Sequence, residues 1–361
     1  MLTRTAIRTL LDKAPNPLLS VYLRVDPAYP PNQNEAPAWF IYLKNALREI
    51  EAGFEQIPQA WKETRQQVLD YAQGYVPRSK SLVIFAEKDL LEVFDVPITL
   101  ENRVSYGAPM VVPLLWAMDE YKRYLLVLVD HEQARFLSAY LGRVTGGEAM
   151  ELDFDDYDFG DSRFIHTRGT TSGSQGSGQD DFADMRDEYI RRFHSDVASR
   201  IRKLMGKLQT NRIVLGGNEQ AVKQVQSLLH DSLKKQVVGI VALPLDSSDR
   251  KVAKAIQEKA EIYEREQELK LVDAVIDLAK SGGRGTLGYE NIKQAFAMQQ
   301  VEILLLPFPM NDEEQAAELS LLALLSNTEL ELLHGEPAEK LREEGGVAAR
   351  LYYPLQESQR V

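Results

Sequence analysis

Residues 182–207 read FADMRDEYIRRFHSDVASRIRKLMGK, and HTRGTTSGSQGSGQDD precedes them at 166–181. Phe182, Met185, Tyr189, Phe193, Val197, Ile201, Leu204 and Leu208 recur at steps of three and four, which puts them on one apolar stripe of a long helix that docks on a core. The outer face carries Arg186, Arg191, Arg192, Arg200, Arg202, Lys203 and Lys207, a row of cations suited to a phosphate backbone. Ahead of the helix there is no aliphatic anchor between Thr167 and Asp181. Such a segment cannot bury enough surface to offset the entropy of ordering its backbone, so a mobile loop is expected there.

Around this helix the pattern is that of an α/β layer. Residues 124–130 (YLLVLVD), 133–140 (QARFLSAY) and 143–152 read as adjacent antiparallel strands, with a break at Gly146-Gly147. After the helix come a buried strand at 212–215 closed by Gly216-Gly217, a helix at 219–229 and a strand at 237–243. Strands on both sides of helices indicate a mixed sheet with helices packed on it.

The preceding region gives a strand at 19–25 (LSVYLRV), a polar proline-rich loop, helices at 39–54 and 61–75, and two short strands at 81–85 and 90–96 that form a hairpin. Pro109 and Pro113 mark an extended connection. Residues 248–279 are charged and helix-forming, predicting one connecting helix or a pair. The last region reads as a helix at 289–298, strands at 301–306, 329–333 and 348–353, and a helix at 313–325. The predicted fold class is therefore α/β, with three domains at 1–118, 119–267 and 268–361.

Composition narrows the function. The net charge of −12 argues against a surface made for indiscriminate nucleic-acid binding, so any RNA contact is local to the basic helix, with no DNA partner expected. The same arginines also fit a solvated face paired with Asp184, Asp187, Glu188 and Asp196 at helical spacing, and charge alone favours that reading. With no cysteine and only five scattered histidines, disulfides and a zinc site are not expected, and no cofactor is called for. The longest aliphatic runs have strand length, and MLTRTAIRTLLDKAPNP has no long apolar core, so a cytoplasmic chain without a membrane span is expected.

Several familiar signatures fail on inspection. LGG at 215–217 follows a strand but lacks the full dinucleotide fingerprint, and GGRGTLG at 282–288 has no Walker lysine; both read as tight turns. His131-Glu132 lacks the second histidine of a zinc helix, and His194, within the striped helix, reads as a packing residue.

The strands at 125–140, the glutamine loop, the helix from Phe182, IVLGG at 213–217 and VALPLDSS at 241–248 together resemble the middle domain of the archaeal and eukaryotic class one peptide-chain release factor family. GTLGYENIKQAFAMQQVEILLL at 285–306 and GGVAARLYYPL at 345–355 resemble that family's last domain, a feature shared with Pelota-type ribosome-rescue proteins; the bacterial branch of the superfamily fits best. The resemblance covers essentially the whole chain and implies a three-domain release-factor-like fold.

The family presents a glycine-glycine-glutamine tip. Here the counterparts are Gly173-Ser174-Gln175 and Gly176-Ser177-Gly178-Gln179, with Gln179 the better match in position and Gln175 in form. Arg163 and Arg168 extend the implied RNA-binding set. The family's asparagine-isoleucine-lysine-serine codon-reading motif is absent, so stop-codon decoding is not expected.

The resemblance implies hydrolysis of peptidyl-tRNA. A glutamine on a thin, glycine-flanked backbone can reach into an RNA-enclosed site and position a water against the ester, while its backbone amide faces the developing oxyanion. Glutamine is neither acid nor base, so proton transfer falls to the RNA. The implied partners are the ribosome, through large-subunit RNA, and peptidyl-tRNA; a translational GTPase is left open. Two other readings stand beside this one: a noncatalytic ribosome- or RNA-binding factor, and a scaffold whose basic face pairs internally.

Overall fold

The computed structural model describes residues 2–13, 17–152, 177–310 and 312–355, with the backbone alone described for 177–185. These residues form three sheets and two compact units, one made of residues 1–122 and 262–361 and the other of residues 123–261. Among the described residues no helix is long and apolar enough to cross a membrane.

The first unit begins with α1 (Arg4–Lys13), β1 (Leu18–Arg24), α2 (Ala38–Ala52), α3 (Gln59–Gly74), β2 (Ser81–Glu87), β3 (Leu90–Val96), β4 (Arg103–Gly107) and α4 (Val112–Glu120). The strands lie in the order β3-β2-β1-β4, and β1 is buried along nearly its whole length because both its faces are covered. On one face Trp39, Leu43 and Leu47 of α2 and Trp61 and Val68 of α3 pack on Leu19, Val21 and Leu23. On the other, Tyr22 donates its hydroxyl to the Met110 carbonyl and meets Phe85 edge to face.

One strand and one helix start in this region go beyond the sequence expectation. Residues 103–107, where the sequence predicts no element, form an edge strand antiparallel to β1. Pro113 opens α4, so the extended connection ends sooner than the prolines suggested. A proline in the first helical turn lacks only an N–H that has no intrahelical acceptor there, so it starts a helix as readily as it prolongs a loop.

The second unit contains β5 (Tyr124–Val129), β6 (Gln133–Tyr140), β7 (Arg143–Glu151), α5 (Ser177–Leu208), β8 (Ile213–Gly217), α6 (Glu219–Leu228), α7 (Asp231–Lys234) and β9 (Val237–Val241), and the first part of α8 (Asp249–Lys280). The sheet order is β7-β6-β5-β8-β9; the meander β5 to β7 is antiparallel, and β5, β8 and β9 run parallel. YLLVLV is apolar at every position because β5 is central and sandwiched. Leu125, Val127 and Val129 face Phe193, Val197 and Ile201 of α5 and Val222 and Val225 of α6, whereas Leu126 and Leu128 face Val252 and Ile256 of α8.

The Gly216-Gly217 turn is a packing device. At Gly217, with φ of +108°, a Cβ would stand 2.1 Å from the Val129 carbonyl oxygen. The next residue, Asn218, caps α6 by accepting N–H bonds from Gln220 (3.0 Å) and Ala221 (3.1 Å). Gly217→Ala is expected to lower the stability of this unit by about 2–4 kcal/mol in chemical denaturation, since β8 must withdraw from β5 to admit the methyl group.

The helix α8 is single and continuous over its 32 residues. Val252 and Ile256 belong to the core of residues 123–261, and Val272, Val275 and Ile276 to the core of the first unit. The first unit is completed by β10 (Gly285–Leu287), α9 (Tyr289–Ala297), β11 (Val301–Pro307), α10 (Glu313–Leu325), β12 (Glu329–Leu333), α11 (Gly335–Glu343) and β13 (Ala348–Leu351). Its second sheet has the order β10-β13-β11-β12, with β11 and β12 parallel across the connection through α10. GTL at 285–287, read from the sequence as part of a turn, pairs with β13 as a short strand.

Candidate functional site

The long helix α5 forms as its periodicity requires, and its buried side is formed by Ile190, Phe193, Val197, Ile201 and Leu204, with Tyr189 and Leu208 partly covered. The helix starts at Ser177, five residues before the position that the apolar stripe marks. Gly178 and Gln179 thus lie in its first turn by backbone. Gly173, Ser174, Gln175, Gly176, Arg163 and Arg168 lie outside the described residues, as do the side chains of Gln179, Phe182 and Met185.

His194 is fully buried, with Nδ1 2.7 Å from Gln224 Oε1 and Nε2 2.9 Å from the Asp130 carbonyl. Both ring nitrogens are used in tying α5 to α6 and to the end of β5, so the residue braces the helix and has no lone pair left for substrate.

Much of the outer face is paired, which is the reading that charge alone favours. Arg191 and Arg192 both pair with Glu188 within the helix, at 2.8 and 2.9 Å. The two guanidinium groups, through their hydrogen bonds, hold the Glu188 carboxyl down at about 2. Arg186 reaches Glu132 at the β5–β6 turn (3.1 Å), and Arg200 donates through Nε to Glu148 on the edge strand β7 (2.7 Å), which Lys207 also approaches (3.9 Å). Glu188 is the partner that helical spacing predicts; Glu132 and Glu148 are brought in by the fold across more than fifty residues of chain. Arg202 and Lys203 are exposed and have no ion-pair partner among the described residues.

These pairs lie in water, where each contributes little and exchanges readily, so a polyanion can displace the glutamates. The face therefore offers two standing cations, Arg202 and Lys203, and a reserve of exchangeable ones. Among the described residues no group of three or more His, Asp or Glu is placed to hold a metal ion.

Residues 109–261, which include this sheet, the whole of α5 and the segment leading into it, match the bacterial archaeo-eukaryotic release factor family 10. The match takes in less than half of the chain, and over that stretch the sequence is similar to release-factor-like proteins. No curated protein matches the sequence. Among solved structures, the archaeal translation termination factor aRF1 is similar at 18% identity over 97% of this chain and 98% of that one, with a TM-score of 0.28. Ribosome-bound archaeal Pelota, in a model with ABCE1, is similar at 15% identity over 98% and 95%, with a TM-score of 0.45. The S. cerevisiae protein Dom34, a translation termination-like factor that interacts with Hbs1, is similar at 11% identity over 81% and 79%, with a TM-score of 0.44.

Proposed function

We propose that this protein is a cytoplasmic, ribosome-associated release or rescue factor that hydrolyses peptidyl-tRNA through its glutamine loop. The observation that carries the reading is the placement of α5: a helix fixed to the β5–β8 sheet by its apolar stripe, cationic on its free face, and entered directly from the Gly/Ser/Gln segment within a release-factor-like stretch. The helix supplies a rigid stem that docks on large-subunit RNA, and the loop supplies an amide that reaches the ester. Water positioned by the glutamine side chain attacks the ester carbonyl, the glutamine backbone N–H donates to the oxyanion, and the RNA handles the proton. The proposal keeps three domains, 1–118, 119–267 and 268–361, one for each sheet. By analogy with the Hbs1 partner of Dom34, a translational GTPase belongs to this reading as a delivery partner.

Docking is tested by its salt dependence. The double variant Arg202→Glu, Lys203→Glu is expected to bind large subunits about tenfold to a hundredfold more weakly, and to flatten the slope of log K against log salt by roughly 1.5, about 0.7–0.9 for each phosphate no longer neutralised. An unchanged slope in a sedimentation titration removes α5 from the interface.

The second reading is a noncatalytic ribosome-binding factor. It is favoured by the lack of a contiguous glycine-glycine-glutamine and by the glutamates that neutralise much of the α5 face. A peptidyl-tRNA release assay on isolated large subunits and on programmed ribosomes separates the two. Release by the wild type that is lost in a glutamine variant supports the first; binding without release by the wild type selects the second.

A further inference from the structure

Away from α5, wholly within the unit of residues 1–122 and 262–361, a cavity of about 140 Å³ lies between α1, α4, α10 and the turn into β12. It is much larger than the roughly 10–15 Å³ that admits one water. We infer that this cavity is a binding site for a small organic carboxylate with a short apolar body, held by Arg4 and Arg8 and bordered by Ser320.

Three features converge on that ligand. Arg4 and Arg8 stand one turn apart on α1 and both line the cavity, with no carboxylate among its lining residues, although the protein as a whole carries a charge of −12. Asp119, which interacts with Arg4 at longer range, does not line it. Arg4 is held in place through an N–H bond to the Leu330 carbonyl (3.0 Å), whereas Arg8 is exposed and has no ion-pair partner among the described residues. Two guanidinium forks on adjacent turns suit the planar, two-oxygen face of a carboxylate.

Ser320 is the second feature. It is fully buried on α10 and lines the cavity, yet its hydroxyl has no hydrogen-bond partner. A serine within a helix ordinarily turns back to the carbonyl four residues earlier, and a buried hydroxyl left unmade is costly, so an orphan beside the cavity points to a partner brought in by an entering ligand. The third feature is the wall. Leu115 and Leu324 give the interior an aliphatic surface, which fits a hydrocarbon body and disfavours a bare, strongly hydrated anion such as phosphate.

The test is calorimetric titration of the full chain with hexanoate, with hexanol and inorganic phosphate as comparators. Saturable hexanoate binding is expected, with hexanol and phosphate each about tenfold weaker or worse, and with Arg8→Glu lowering hexanoate affinity by about tenfold. Ser320→Ala is expected to weaken hexanoate several-fold while leaving the thermal midpoint unchanged or raised, because an unsatisfied hydroxyl contributes nothing to the empty fold. Absence of saturable hexanoate binding at millimolar concentration, phosphate binding more tightly than hexanoate, or full affinity in Arg8→Glu each overturns the inference. So does a fall in the midpoint of Ser320→Ala, which would mean that the hydroxyl serves the fold instead of a ligand.

Discussion

Peptidyl-tRNA release by the double variant Gln175→Ala, Gln179→Ala is expected to run about a hundredfold to a thousandfold slower than wild type, with ribosome affinity within about twofold. The size follows from what is removed. A preorganised donor or water-positioning group in a water-excluded site is worth on the order of 3 kcal/mol to the transition state, and the ester lies in such a site. Neither glutamine is charged, so the docking term, which comes from neutralised phosphates, is left untouched. Loss of release and loss of binding are thus separable, and the charge-reversal pair on α5 is expected to show the converse.

The single variants decide between the two residues. Gln179 lies in the first turn of α5, where its backbone is committed to the helix, and alanine there is at least as good a helix former as glutamine. If Gln179 is the acting residue, Gln179→Ala loses release without loss of helix content in circular dichroism; if Gln175 is, Gln179→Ala is silent and Gln175→Ala reproduces the double variant. Release at the wild-type rate from the double variant would remove the glutamines from the chemistry altogether.

Much of the scaffold is readable from residue order alone because its signals are local. YLLVLV has strand length between polar segments and reads as a strand, and the α5 stripe repeats at steps of three and four, so each element reports its own type. Elements whose stability comes from neighbours were not legible. RVSYG at 103–107 has no apolar run of its own and becomes β4 because β1 offers an edge to pair with. GTL at 285–287 becomes β10 by pairing with β13. The α5 face illustrates the same limit in charge. A partner four residues away, Glu188, is visible from spacing; Glu132 and Glu148 depend on where the sheet places its turn and its edge. The candidate glutamines come from family resemblance alone: Gln175 and the side chain of Gln179 lie outside the described residues, and an amide proposed to work with RNA leaves no cluster of acids and bases to find.

The largest stability effect away from α5 is expected at Lys122. Its ammonium lies 2.6 Å from Glu331, 3.3 Å from Glu264 and 3.4 Å from Asp119, and all four side chains are at most 15% exposed. One cation thus serves three carboxylates. Asp119 also accepts the Leu332 N–H at 2.9 Å, yet burial outweighs that bond and Lys122 together and pushes its carboxyl up to about 7, with Glu331 adding to the rise. Lys122→Met keeps most of the side-chain volume and removes the charge, so the cost is that of buried carboxylates that lose their nearest cation, about 3–5 kcal/mol.

The pH dependence has a definite sign. A carboxyl whose folded pKa lies above its unfolded value of 3.8 binds its proton more tightly in the folded state. Its contribution to stability is full below the unfolded pKa, falls as pH rises from about 4 to 7 and is level above that. Urea denaturation of the wild type is therefore expected to give a lower midpoint at about pH 8 than at about pH 5.5, and Asp119→Asn, which keeps an acceptor for the Leu332 N–H, to remove that group's share of the slope. In Lys122→Met the opposing cation is gone and the Asp119 pKa rises further, so the destabilisation is expected to be greatest at about pH 8 and smaller at about pH 5.5, where Asp119 is already neutral. A Lys122→Met penalty that is equal at both pH values would show that the lysine acts through its packing and not through its charge.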